Sequence, residues 1–198
     1  MSPENSGPFE NAPPFRGVLG TVCDDMFTSL DLAELEIVGR VTRFTDRNGL
    51  GRIARIATRL GDGWLYPALA LLLILLGCIE SPIRFLASAA ISVLIVFSGY
   101  PGLKRFLSRR RPCDYDPSLM REISPIDRYS CPSGHTMMAA AFGTTLLVAW
   151  PAGAVVSAAV TAIIGWSRIA LGHHYATDVA AGAFLGGAVA APIALLFF

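Results

Sequence analysis

The sequence predicts an all-α, integral-membrane helical bundle of about five transmembrane helices preceded by an amphipathic helix, and three observations lead there. Hydrophobic residues fill 53% of the 198 positions and charged residues only 16%, with a mean hydropathy of +0.52. That balance is too apolar for an ordinary soluble domain of this size. The apolar residues gather into uncharged runs near the length of about 20 residues that a helix needs to cross a bilayer core. Open strands cannot satisfy their backbone in hydrocarbon, so the spanning elements are helices. Sixteen Lys+Arg against 15 Asp+Glu leave a net charge of +1, without the polyelectrolyte character of a nucleic-acid binder. Four cysteines at uneven spacing are too few for a disulfide scaffold and lack the C-x-x-C pairs of a zinc site.

Residues 1–15 are polar and carry neither a basic n-region nor an apolar h-region, so they read as a disordered tail and insertion is expected from internal segments. Residues 16–198 read as one membrane domain. Between about 24 and 60, Asp24, Asp25, Asp31, Glu34 and Glu36 make a crossing prohibitively costly. Leu30, Ile37, Val38, Val41 and Phe44 recur there at helical spacing, with Glu34, Arg40 and Arg43 between them. This is an amphipathic helix that lies on the membrane surface or packs on the bundle. Asp46-Arg47-Asn48-Gly49 reads as a turn, and Arg52, Arg55 and Arg59 beyond it are placed to reach lipid headgroups. The first crossing, 63–79, opens with Trp64 and Tyr66 as interfacial anchors; the second is 85–103. The uncharged run 136–167 spans 32 residues, too long for one crossing. A turn at Trp150-Pro151 divides it, giving crossings at 134–150 and 151–167. The last, 178–198, is rich in Gly and Ala, which lets helices approach closely in lipid.

With helices alternating in direction, segments 104–135 and 167–178 emerge on the same face as the N-terminal region and bring all 3 histidines with them. Lys104, Arg105, Arg109, Arg110 and Arg111 follow the second crossing. Alone, such a run reads as a solvated boundary touching headgroups. Ser133-Gly134-His135 adds more specific chemistry. Pro132 precedes a helix start, Ser133 is a good N-cap, and Gly134 lets an anion approach the free backbone N–H groups. Lys104 and Arg111 supply cations for phosphate oxygens, the Arg fork in bidentate fashion. The segment 167–178 adds Arg168, His173, His174 and Asp178. With the last helix starting near His174, Asp178 falls on the same face at i+4. A carboxylate bonded to one imidazole nitrogen fixes the tautomer and leaves the other nitrogen free as a nucleophile. A His/His/Asp metal site competes for the same residues. The cations Lys104, Arg111 and Arg168 oppose it and favour an oxyanion, so no metal or cofactor is expected.

Three motifs in order make the chain resemble the type 2 phosphatidic acid phosphatase superfamily of membrane lipid phosphatases: Lys104 with six residues to Arg111-Pro112, Pro132-Ser133-Gly134-His135, and Ser167-Arg168 with five residues to His174 and three to Asp178. The resemblance implies a phosphohistidine mechanism without metal. In it His174 attacks phosphorus, His135 protonates the leaving alkoxide and later activates water, and Asp178 orients His174. Lys104, Arg111, Ser133, Gly134 and Arg168 hold the phosphate and its developing charge, and His173 lies outside the motif count. The implied substrate is a phosphomonoester or pyrophosphate of a lipid, of the phosphatidic acid, phosphatidylglycerol phosphate or polyprenyl type. The alternative is a phosphatase or phosphotransferase acting on a soluble phosphate ester. Vanadium haloperoxidases share the residues but are longer soluble proteins.

The implied partners are the lipid phosphate and the bilayer, and the implied place is a bacterial inner (cytoplasmic) membrane. Six crossings are common in the family; here the amphipathic region stands in place of the first. All Lys and Arg except Arg84 lie on the active-site face, which by the positive-inside rule favours a cytoplasmic site. A bridge between Cys113 and Cys131, which bracket the loop between the first two motifs, would instead place it outside the cytoplasm. Cys23 and Cys78 read as apolar fillers.

Overall fold

A computed structural model describes residues 18–121, 125 and 127–198, with side chains described from residue 30 onward. The tail read at 1–15 and the side chain of Cys23 lie outside that description. Among the described residues every regular element is helical: α1 Val18–Arg47, α2 Gly51–Leu60, α3 Leu65–Leu75, α4 Pro82–Leu107, the short α5 Pro112–Tyr115, α6 Gly134–Ala149, α7 Ala154–Ala170 and α8 Ala176–Phe197.

The helix boundaries follow local chemistry. Pro82 opens α4, where its fixed φ is already helical and no N–H is missed. Pro151 ends α6, and one 3-10 turn, Pro151–Gly153, leads into α7. The long uncharged run therefore divides where the proline predicts. The expected 63–79 crossing is shorter, an 11-residue α3. Gly63 at φ 133° and Gly77 at φ 71° bound it, backbone conformations that end a helix and favour glycine. Three segments are long and apolar enough to cross a membrane, Pro82–Tyr115, Pro151–Ala170 and Ala176–Phe197, while α3 and α6 are apolar but shorter.

Helix α6 forms the centre of the bundle. Phe142 packs its ring 5.4 Å from Tyr66 of α3 and 5.8 Å from Phe85 of α4, with Leu146 and Ile164 in the same core. On its other side lies α8. A Cβ at Gly186 would sit 2.1 Å from the Met137 carbonyl, and one at Gly182 2.6 Å from that of Ser133. Only bare backbone at these positions permits this approach, which brings the start of α6 beside the start of α8. Outward, Leu75, Ile83, Leu94, Val155, Phe184 and Leu196 are exposed, as a lipid-facing surface requires.

Helix α1 forms over the expected region, but its stripe is divided. Val38 faces inward and Val41 is half-buried, but Leu30, Ile37 and Phe44 face outward, while Asp31, Glu34, Thr42 and Thr45 are buried. Asp31 and Glu34 turn in because both pair with Arg109 from the loop after α4. Tertiary ion pairing has overridden the hydrophobic stripe. Helix α1 runs on through Asp46 and Arg47, so the turn before α2 forms at Asn48-Gly49-Leu50, and α2 buries Ala54, Ala57 and Thr58 while Arg52 and Arg59 stay exposed.

Candidate active site

Helix ends converge on one cavity of about 140 Å³. The C-terminal end of α4 delivers Lys104, the start of α5 Arg111, the start of α6 Gly134 and His135, the end of α7 Arg168, and the turn before α8 His174. Six of the eight residues singled out in the sequence line it. The others, Ser133 and Asp178, are fully buried behind its wall. Apolar lining comes from Phe97 and Met138, with Tyr100 beside them, and two further carboxylates, Asp62 and Asp127, complete the rim.

His174 lies in a tight turn made possible by Gly172 at φ 73°, and the backbone N–H groups of His173 and His174 both donate to the Arg168 carbonyl, at 3.0 and 3.3 Å. The expectation that α8 begins near His174 is corrected, since α8 starts at Ala176 with Tyr175 as N-cap. Asp178 therefore meets His174 across the cap. Its Oδ2 accepts the Tyr175 N–H at 2.9 Å and stands 3.5 Å from His174 Nδ1. At that spacing Nδ1 has no formed hydrogen bond; catalytic hydrogen bonds commonly tighten only when substrate is bound. The other nitrogen, Nε2, lies 3.3 Å from the Arg111 guanidinium. Burial, then the charges of Arg111, Arg168, Lys104 and His173, hold the His174 imidazole well below the ordinary histidine range. Burial and these charges therefore favour the neutral ring.

At the start of α6, His135 Nε2 donates to Asp62 Oδ1 at 2.6 Å. Asp62 belongs to the Gly61-Asp62-Gly63 turn before α3 and escaped the sequence reading because no motif contains it. Ser133 occupies the N-cap of α6, but its hydroxyl accepts from Thr136 at 3.0 Å instead of capping. Its N–H donates to the Asp178 carbonyl at 3.0 Å and ties the second motif to the third.

The basic run divides. Arg105 and Arg110 are exposed, as a headgroup boundary predicts, while Lys104, Arg109 and Arg111 are buried. Reading Arg109 as part of a solvated boundary is therefore corrected. Its guanidinium reaches Asp31 at 2.8 Å, Glu34 at 2.7 Å and Asp178 at 2.6 Å, and lies over the Tyr175 ring, 4.1 Å from its centroid. It draws three carboxylates from α1 and α8 to one centre and supports Asp178 from behind.

Lys104 Nζ donates to both oxygens of Asp127, at 2.9 and 2.8 Å. Arg111 donates through Nη2 to Asp127 Oδ1 at 2.6 Å, through Nε to the Asp127 carbonyl at 3.0 Å, and through Nη1 to the His173 carbonyl at 2.6 Å. Burial pushes the Asp127 carboxyl up, but hydrogen bonds and charges from Lys104 and Arg111 outweigh it and hold the group below the usual carboxylate range. Arg168 donates to the Thr58 hydroxyl, while its Nε–H is buried with no acceptor. Cys113 and Cys131 are buried free thiols. Among the described residues no group of three or more His, Cys, Asp or Glu is placed to hold a metal ion.

The sequence profile of the PAP2 superfamily matches residues 81–198, which contain all three motifs. The chain belongs to the PAP2 superfamily. This PAP2 protein is similar to the decaprenylphosphoryl-5-phosphoribose phosphatase of Mycobacterium tuberculosis, 33% identical over 159 residues that cover 74% of this chain and 80% of that one. It is also similar to the lipid A 1-phosphatase of Rhizobium etli, 33% identical over 99 residues covering 47% of this chain and 43% of the relative. The chain thus matches less than half the length of the lipid A 1-phosphatases. The crystal structure of a transmembrane PAP2 type phosphatidylglycerolphosphate phosphatase from Bacillus subtilis superposes with a TM-score of 0.64 over 91% of this chain and 92% of that one, at 19% identity. The all-helical membrane fold is shared.

Proposed function

We propose that this PAP2 protein hydrolyses a phosphomonoester or pyrophosphate of a lipid through a phosphohistidine on His174. The observation that carries this reading is the convergence of Lys104, Arg111, Arg168, His135 and His174 on one cavity. There Arg168 keeps a buried N–H without an acceptor, a donor that an oxyanion would satisfy. His174 Nε2 attacks phosphorus and the bond to the leaving oxygen breaks, while His135 gives that oxygen a proton. Water then attacks the phosphohistidine and yields its proton to His135, and inorganic phosphate leaves as Nε2 is freed. Asp178 steadies the positive charge that the His174 ring acquires, and the three cations with the Gly134 backbone hold charge on the equatorial oxygens. Loss of one such donor, as in Arg168→Ala, is worth about 10²–10³ in rate.

The lipid reading rests on the site's position at the ends of apolar helices and on the relatives' names. The same reading makes residues 16–198 one domain with five crossings of a bacterial cytoplasmic membrane, local thinning absorbing the short α3 and α6. Phosphate release from phosphatidic acid, phosphatidylglycerol phosphate and undecaprenyl pyrophosphate in detergent with EDTA, beside a water-soluble phosphate ester, tests it. EDTA-resistant release from a lipid is expected; release from the soluble ester alone would overturn the lipid assignment.

Asp62 is a positioning residue for His135 in this scheme: burial and the Arg168 charge push the imidazole pKa down to about 4, and the Asp62 carboxylate opposes that shift while fixing the ring through Nε2 at 2.6 Å. Asp62→Asn is expected to lower kcat/KM for an alkyl phosphate by about tenfold or more, within the range that general acid catalysis contributes. A nitrophenyl phosphate, whose leaving group needs no proton, should lose little. Equal losses on both substrates would assign Asp62 a purely structural part.

A further inference from the structure

We propose that Asp127 is an internal competitor for the phosphate site, its carboxylate holding Lys104 and Arg111 until a dianionic phosphate end displaces it. This selects terminal phosphates over monoanionic diesters, and it rests on the phosphatase reading above. Three features support it. First, the partners of the carboxylate are the cations the first motif offers to phosphate, and its two oxygens take donors from both, at 2.6 to 2.9 Å. An anion already occupies the anion cradle, and Lys104 and Arg111 hold its carboxyl below the usual carboxylate range. Second, the side chains of Lys104 and Arg111 are only 5% and 3% exposed while that of Asp127 is 36% exposed. The cations form the floor and the carboxylate closes over them from the open side, the side from which a headgroup enters. Third, the main chain at Asp127 is held separately. Its carbonyl accepts Arg111 Nε at 3.0 Å, and three residues on, Ser130 N–H donates to the Arg109 carbonyl at 2.9 Å. The side chain can therefore leave by rotation about its own bonds while the Asp127 carbonyl and the Ser130 N–H keep these contacts.

The charge balance supplies the selectivity. Exchange of a carboxylate for a phosphomonoester dianion places a second negative charge between the two cations, a net electrostatic gain in a poorly solvated pocket. Exchange for a diester monoanion brings no such gain and forfeits the intramolecular advantage of Asp127. Apparent affinity is reduced by the fraction of molecules in which the cradle is open.

The test is Asp127→Asn, with Asp127→Ala as a second variant, both checked for monodisperse elution. Binding of inorganic phosphate is measured by calorimetry, and inhibition by diethyl phosphate during turnover of short-chain phosphatidic acid. Removal of the competing charge is expected to tighten phosphate binding about tenfold and to turn diethyl phosphate from a weak into a measurable inhibitor. If phosphate binds unchanged or more weakly to both variants, Asp127 organises Lys104 and Arg111 for substrate and the proposal is overturned. Wild-type turnover separates the two failures. Tightened phosphate binding without turnover of any lipid by the wild type would refute the phosphatase reading and leave the competitor standing. Turnover without tightening would refute the competitor alone.

Discussion

Replacing His174 by alanine is expected to lower turnover by at least about 10⁴-fold, the scale on which loss of a nucleophile acts, in a protein that still folds. The fold survives because the deleted ring is neutral and leaves no charge stranded: Asp178 keeps its bonds to Arg109 at 2.6 Å and to the Tyr175 N–H at 2.9 Å. The lost group is the nitrogen 3.3 Å from Arg111, the single unprotonated nucleophile that the scheme places among the three cations. His135 remains, but an acid with no nucleophile to pair with leaves only the oxyanion donors, whose residual effect is small beside that of the whole site. Phosphate release by purified protein, beside size-exclusion elution and thermal unfolding, measures both halves of this expectation. Release within tenfold of wild type from monodisperse His174→Ala would remove the basis for covalent catalysis.

Arg109→Met should be the most destabilising single change in the site region. One guanidinium, its side chain 1% exposed, faces three carboxylates whose side chains are at most 9% exposed. Methionine keeps much of the volume and removes the charge, leaving Asp31, Glu34 and Asp178 to repel one another in a poorly solvated interior. Breaking a buried ion pair from one side costs about 3–5 kcal/mol. Glu34 keeps its bond from the Thr177 N–H at 2.9 Å, so the repulsion among the unpaired carboxylates is passed to the start of α8, where Asp178 loses the Arg109 guanidinium that supports it at 2.6 Å. The expected outcome is a strongly lowered unfolding midpoint in detergent, with activity falling alongside it, and a partial return in Arg109→Lys, which restores charge without the fork. A midpoint equal to that of wild type would mean that the cluster contributes no net stability.

Much of this arrangement is legible in one dimension, for identifiable reasons. Pro151 divides a long apolar run because proline cannot continue a helix, and the division occurs there. The three motifs fall at helix ends, so their residues converge once the helices alternate, and Lys104, Arg111, Gly134, His135, Arg168 and His174 line one cavity. The rest depends on pairings far apart in the chain. Asp62 meets His135, and Arg109 meets Asp31 and Glu34, across more than 70 residues, and no local pattern announces either. The same pairing splits the apolar stripe of α1: Asp31 and Glu34 turn inward beside Val38, and Leu30, Ile37 and Phe44 are left facing outward. Hydropathy overestimates α3 because it registers side chains and not the backbone conformations of Gly63 and Gly77. The i+4 placement of Asp178 is sound as spacing but not as helix geometry, since Tyr175 caps α8 after His174.

The claim that His174 carries the phosphoryl group is tested most directly by trapping it. Wild-type protein is mixed with phosphatidic acid labelled in its phosphate, quenched in alkali within the first turnovers, and digested for peptide mapping. Label that is stable in alkali, lost in acid, and confined to the peptide containing His174 is expected. Phosphate release that proceeds with no label on the protein, or with label on another residue, would contradict that claim.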